Sequence, residues 1–363
     1  MTNNYGLIMA GGIGSRFWPI STPEHPKQFL DILGVGKSLL QLTFERLSRT
    51  ILREQIFILT NMRYAQQVSD QLPDLPVENI LCEPERKNTA PSLAYASAKI
   101  YTKNPNATLV VLPSDHLILN EHRFAELLEK AIQVAKTEKL LVTLGISPSR
   151  PDTGYGYIKF DQQHIGHFGK ATEVRQFCEK PSLEMAKSFL DAGNYFWNAG
   201  IFVWQAETIL SALREFQPAL AALFLDDLSA YNSIEEKEFI GNAFRLCSDI
   251  SIDYAVLEHA KNVSVVLSDF DWSDLGTWGS LNEHLSKDRF GNAVVGKNVF
   301  LFESENCLVN ISPNKLVLLD GLKDYIIIES NNVFMVLKSE NEQKLKEYLN
   351  SVTQADFFRN GQN

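Results

Sequence analysis

A short apolar run, Tyr5–Ala10, ends on Gly11, Gly12 and Gly14, with Arg16 two residues on. So short a run, closed by glycines, reads as a buried strand. Glycines after a strand let backbone N–H groups approach a ligand closely, and Arg16 adds a fork of charged donors. Ala10, Gly11, Gly12, Gly14, Arg16 and, eleven residues further on, Lys27 are therefore candidates for holding a phosphate. Two well-known phosphate motifs do not fit. The dinucleotide pattern G-x-G-x-x-G would need glycine where Phe17 stands, which disfavours an NAD-dependent dehydrogenase. A P-loop ending in Gly36-Lys37-Ser38 would need glycine where Asp31 stands.

Beyond the loop, apolar runs alternate with amphipathic stretches. Strands are expected at Gln55–Leu59, Ile80–Cys82, Thr108–Leu112 and Leu140–Leu144. Helices are expected at Ser38–Arg49, around Leu93–Ile100 and at Phe124–Ala135, where the last shows an apolar stripe at i, i+3, i+4, i+7. Such alternation argues βαβ units, hence an α/β fold with a mixed, mostly parallel sheet flanked by helices. Strands at Tyr155–Phe160 and Gly200–Trp204 and helices at Leu183–Ala192, Glu207–Phe216 and Ile252–His259 continue the pattern. After Arg289 short Val-, Ile- and Asn-rich runs predict a small β domain, closed by a helix at Asn341–Leu349. Val295, Leu301 and Cys307 recur every six residues, as the turns of a β-helix do, until Pro313 breaks the step. The expected domains are 1–285 and 286–363.

The net charge is −10, with no basic run, which excludes a nucleic-acid backbone as partner but not a nucleotide. No apolar run reaches the roughly 18 residues of a membrane span, and Met1-Thr2-Asn3-Asn4 lacks a basic signal region. The 4 cysteines, Cys82, Cys178, Cys247 and Cys307, are scattered, so no zinc or redox motif is present and a reducing cytoplasm is expected.

Further candidates sit just past the strands. Pro113-Ser114-Asp115-His116 places a carboxylate just beyond a strand, where it would hold a divalent cation or merely cap a turn. Trp272-Ser273-Asp274-Leu275-Gly276-Thr277-Trp278 supplies a second carboxylate. In Phe177-Cys178-Glu179-Lys180-Pro181, the lysine alone reads as a surface residue. Thr153-Gly154-Tyr155-Gly156 reads as a turn into a strand, and Asn198 offers an amide able to grip a hydroxyl bidentately. In Glu83–Pro91, Asn88 or Thr89 suits a helix cap.

Gly11-Gly12-x-Gly14-x-Arg16-x-Trp18-Pro19, followed by Pro26-Lys27-Gln28-Phe29, resembles the signature of sugar-1-phosphate nucleotidylyltransferases. The Trp-Pro and Pro-Lys-Gln-Phe wording resembles the mannose-1-phosphate guanylyltransferase branch. The likeness continues through Pro84–Pro91, Pro113–His116, Thr153–Ile158, Phe177–Pro181, Asn194–Phe202, Ser251–Glu258 and Trp272–Trp278. Phe17, Thr22 and Ala199 depart from it, where the family usually has Leu, Arg and Ser. The resemblance implies a Rossmann-like, GT-A-like fold with a left-handed β-helix-like C-terminal domain. It implies GMP transfer from GTP to α-D-mannose 1-phosphate, giving GDP-mannose and pyrophosphate with Mg²⁺ on Asp115 and Asp274. By the same resemblance Arg16 and Lys27 hold the triphosphate, and Ser114 joins Asp115 at the nucleotide. Glu83, Arg86, Asn88 and Thr89 lie at the base and ribose. Gly154, Tyr155, Glu179, Lys180, Asn198 and Asp274 meet the sugar phosphate. Rival readings are the same chemistry on glucose 1-phosphate with UTP or dTTP, or a silent nucleotide-sugar sensor. A homodimer through exposed β edges is expected. The length leaves no room for the fused isomerase domain of longer members, so one activity is expected.

Overall fold

The structure, a computed structural model, describes residues 3–12, 14–161, 163, 166–330 and 332–352. Ile13 of the glycine loop and residues 353–363 of the expected β domain lie outside them. The chain packs as two compact units, residues 1–11 with 41–272 and residues 12–40 with 273–363. The stretch 12–40 thus packs with the C-terminal part of the chain, and the units do not follow a single cut near residue 285.

The first unit is built on a mixed sheet. Its strands are β1 (Asn4–Met9), β2 (Ile56–Asn61), β3 (Ile80–Glu83), β4 (Thr108–Pro113), β6 (Leu141–Ile146), β7 (Tyr157–Lys159), β8 (Ala171–Glu173), β9 (Gln176–Cys178), β10 (Tyr195–Gln205) and β11 (Val263–Ser268). The two-residue β5 (Leu117–Ile118) lies outside it. The order is β3-β2-β1-β4-β10-β6-β11-β8, with β7 pairing β10 and β9. β1, β2, β3 and β4 run parallel, β10 runs antiparallel to both β4 and β6, and β11 is parallel to β6. β1, β2 and β4 are nearly continuous apolar runs because helices cover the sheet. Helix Glu121–Glu138 buries Phe124, Leu127, Leu128, Ala131, Ile132 and Ala135, the stripe expected from spacing, and Asn120 caps it by accepting from Arg123 N. Helix Leu183–Ala192 is capped by Ser182 and ended by Gly193 in the left-handed conformation.

In the second unit, strands Ala293–Val295, Leu308–Asn310 and Tyr325–Ser330 pair in parallel, closed by antiparallel Val333–Lys338, and Asn298–Phe302 pairs in parallel with Leu316–Asp320. Val294 lies opposite Val309, Val309 opposite Ile327, and Phe300 opposite Leu318. The chain therefore coils with steps of 15 and 18 residues, as stacked β turns do. Its interior is Cys307, Val309, Ile311 and Ile327, with Val299, Leu301, Val317 and Leu319 against them. That core follows the strand period of two, not the six-residue spacing, and Val295 is not part of it.

Candidate active site

Parallel β1, β3 and β4 release Ala10–Gly11, Glu83 and Ser114–Asp115 at their carboxyl ends, the edge where open α/β sheets take ligands. β10 arrives from the other direction, with Gln205 opposite Thr108 and Phe202 opposite Val111, so its early residues reach the same edge.

Ala10 anchors the turn. Its N–H donates to Leu59 O at 2.7 Å and its carbonyl accepts from Thr60 Oγ1 at 2.9 Å. A β-carbon on Gly11 would lie 3.9 Å from Glu83 Oε2. Glu83 is buried, and burial pushes its carboxyl up to about 7 against a hydrogen bond from Ser92 and the charge of Arg86. Arg86 is exposed. Asn88, at φ 64°, caps helix Thr89–Lys103 by accepting from Thr89 N at 3.0 Å, and Thr89 Oγ1 accepts from Ile252 N at 2.8 Å. Both fix the path of the chain here.

Ser114 is buried and donates its N–H to Met9 O at 3.0 Å, while Thr43 Oγ1 donates to its carbonyl. Asp115 follows, its side chain 30% exposed. Trp272 Nε1 donates to His116 Nδ1 at 3.1 Å. An indole N–H only donates, so Nδ1 carries no proton and the neutral ring keeps its proton on Nε2. That Nε2 lies 4.0 Å from Asp115 Oδ1. Trp272 also meets the Tyr155 ring at 5.3 Å, and Tyr155 meets Trp197 at 4.9 Å, so these aromatics form one packed group.

Gly154 N donates to Asp152 Oδ1 at 2.9 Å. Any side chain at Gly156 would run into the Glu179 carboxylate. Glu179 is raised, by burial first, and pairs with Lys180 at 3.4 Å. Lys180 holds φ at 45°, a strained backbone for a residue before proline. Asn198 sits at a bulge in β10, where the register to β6 shifts between Asn198 and Phe202 and Gly200 turns at φ 67°. Its Oδ1 accepts from Thr143 Oγ1 at 2.9 Å and Gly200 N at 3.2 Å, and its Nδ2 donates to Asp253 Oδ1 at 2.9 Å. The bidentate grip expected of this amide does not fit, because the oxygen is already occupied; one N–H of Nδ2 remains for a ligand.

In the second unit Gly14, at φ 56°, packs on Lys27: a β-carbon there would lie 2.5 Å from Lys27 Cβ. Gln28 Nε2 donates to Gly12 O at 2.8 Å, which ties the loop to the Lys27 segment. Lys27 is buried, and its Nζ donates to Asp274 O at 2.8 Å and Leu275 O at 3.0 Å. Asp274 Oδ1 accepts from Gly276 N at 3.0 Å, and a Thr277–Ser280 capping box opens the next helix. Arg16 is exposed. Trp278 is a packing residue: fully buried, it lies 4.8 Å from the Phe17 ring and donates to Trp18 O.

The sequence reading leaves Thr143 out and includes Asp253 and Glu258 only as part of the Ser251–Glu258 segment, with no role for either; the Glu258 carboxylate accepts from Glu179 N at 3.0 Å. For Asp253 the available signal is Ser251 before it, whose Oγ accepts from Tyr254 N. Among the described residues no three His, Cys, Asp or Glu gather into a metal cage, and no helix is long and apolar enough to cross a membrane.

Residues 5–289 match the nucleotidyl transferase family model, so fold and site define a nucleotidyl transferase and the chain belongs to that family. Within it the chain is similar to mannose-1-phosphate guanylyltransferases. It is 36% identical to that of Klebsiella pneumoniae over 97% of this chain and 75% of that protein. It is 37% identical to that of Escherichia coli over 94% of this chain and 72% of that protein. Among solved structures, a Thermus thermophilus protein named mannose-1-phosphate geranyltransferase superposes with a TM-score of 0.86 at 28% identity, covering 97% of this chain and 99% of that one.

Proposed function

We propose that this enzyme transfers the guanylyl group of GTP to mannose 1-phosphate, giving GDP-mannose and pyrophosphate. The observation that carries the reading is the reach of the likeness. Identity of 36% extends over 97% of this chain and 75% of the Klebsiella pneumoniae relative. In this reaction a sugar-phosphate oxygen attacks the α-phosphorus in line, and the bond from that phosphorus to the bridging oxygen of pyrophosphate breaks. A phosphate monoester is already anionic near neutral pH, so neither a covalent nucleophile nor a general base is required. Catalysis is then positioning and charge neutralisation.

Arg16 supplies a guanidinium for the triphosphate, and Lys27 adds its charge while fixing the Asp274 backbone through two carbonyls. Glu83, beside Gly11, and Arg86 belong to base and ribose recognition in this reading. Lys180 steadies the sugar phosphate, and Glu179 accepts from sugar hydroxyls. Asp115 and Asp274 would hold Mg²⁺. Carboxylates suit that ion, which takes one or two of them and completes its shell with water and substrate phosphates. When bound, it would neutralise charge on the phosphates. A homodimer in the cytoplasm is part of the same proposal, and light scattering tests the dimer.

Pyrophosphate release measured with the four common NTPs against a panel of hexose 1-phosphates tests the reaction. GTP with mannose 1-phosphate is expected to give the highest kcat/KM. Preference for glucose 1-phosphate with UTP or dTTP, or binding without turnover, would replace this reading.

A further inference from the structure

Asp253 opens a single π-turn, Asp253–Leu257, in which Glu258 N donates back to Asp253 O at 3.0 Å. The segment before it is pinned by Ile252 N on Thr89 Oγ1 at 2.8 Å and Ala90 N on Ile250 O at 3.1 Å. The carboxylate is thus carried on a rigid backbone. Asn198 is the one side chain that donates to it among the described residues, with its own backbone N–H the other donor. A carboxylate has about four acceptor positions, so capacity remains.

The surroundings neutralise it only in part: the Lys180 charge favours the carboxylate, but less than burial and Glu179 oppose it. The charge of Glu179 acts on Asp253 unfavourably, and burial and Glu179 together push its carboxyl up to about 7. The ammonium of Lys180 makes its ion pair with Glu179, is 59% exposed, and acts on Asp253 through its charge. Thr143 and Gly200 hold the Asn198 oxygen, so the amide cannot turn over to leave Asp253 facing a second acceptor. Two carboxylates beside one amide N–H make an acceptor-rich corner, complementary to the O–H donors of a polyol.

We infer that Asp253 is a specificity-determining residue: through Oδ1 it orients Asn198, and through Oδ2 it accepts one hydroxyl of the hexose. The inference rests on the sugar-phosphate reading above.

Asp253→Asn tests it. The amide oxygen still accepts from Asn198, while the NH₂ replaces Oδ2 and turns an acceptor into a donor. KM for mannose 1-phosphate is expected to rise about tenfold or more, and KM for GTP to stay within about twofold. The penalty is then measured with the 2-, 3-, 4- and 6-deoxy analogues of mannose 1-phosphate. It is expected to vanish with one of them, the analogue lacking the hydroxyl that Asp253 reads. An unchanged KM, or the same penalty on all four analogues, would overturn the inference. Should the amide variant not fold, Asp253→Ser repeats the comparison. A wild-type enzyme that ignores mannose 1-phosphate but turns over another hexose phosphate overturns only the parent reading, and deoxy analogues of that sugar then decide on Asp253.

Discussion

Gly14 is held at φ 56° with the side chain of Lys27 where its own β-carbon would stand. Gly14→Ala is therefore expected to lower stability by about 1–3 kcal/mol or more, read by chemical denaturation. Gly12, by contrast, has open space around its Cα, so Gly12→Ala serves as the mild control. Asp115→Ala is expected to fold normally and to lose roughly a hundredfold or more in kcat with Mg²⁺ present. Near-native turnover would remove Asp115 from the metal. At this scale the sequence shows the glycines and most charged candidates, because short motifs put them side by side. It does not show the tautomer of His116, set by Trp272 at 156 residues' distance, nor the two carbonyls that hold Lys27. It also does not distinguish Asp253, a single carboxylate in a run with helical spacing.

β10 sets the surroundings of Asn198 through its irregularity, not its regular pairing. Two extra residues of β10 lie between its pairings at Asn198 and Phe202, and Thr143 on the neighbouring β6 donates its hydroxyl to Asn198. Thr143→Val keeps the shape and removes the donor. It is expected to raise KM for the sugar phosphate about three- to tenfold while costing about 1–2 kcal/mol in stability. An unaltered KM would show that Gly200 N alone orients the amide. Strands with β-branched runs and the striped helix Glu121–Glu138 are legible because their apolar residues keep one period. Helix Pro218–Leu225 is apolar nearly throughout and so presents no stripe, and pattern alone leaves it and β11 unassigned. The run read as a helix at Ile252–His259 is a π-turn, because spacing does not separate one widened turn from an α-helix.

At the scale of the molecule, two carboxyls among the described residues are raised to about 7, Glu83 from 4.5 and Asp253 from 3.8, burial being the largest cause for each. Below about pH 4 both groups are protonated whether the chain is folded or not. Between there and pH 7 the unfolded chain releases protons that the folded chain keeps, so their contribution to stability falls as pH rises and is lost above pH 7. Asp253, facing Glu179, Lys180 and Asn198, is then a charge held against folding at neutral pH. Asp253→Asn is expected to stabilise the ligand-free protein relative to wild type more at pH 8 than at pH 5, as read by thermal unfolding. An equal difference at both pH values would mean that Asp253 titrates near its ordinary value. The packing of residues 12–40 with 273–363 also has a consequence in time. During synthesis Lys27 leaves the ribosome 247 residues before the Asp274 carbonyl that receives it. At about 5–20 residues per second that is an interval of roughly 10–50 s. Within it the parallel strands of the first unit emerge in turn, β2 first and β11 last, while Lys27 waits for its carbonyls. The nascent enzyme would thus complete its sheet before the segment around Lys27 finds its partners.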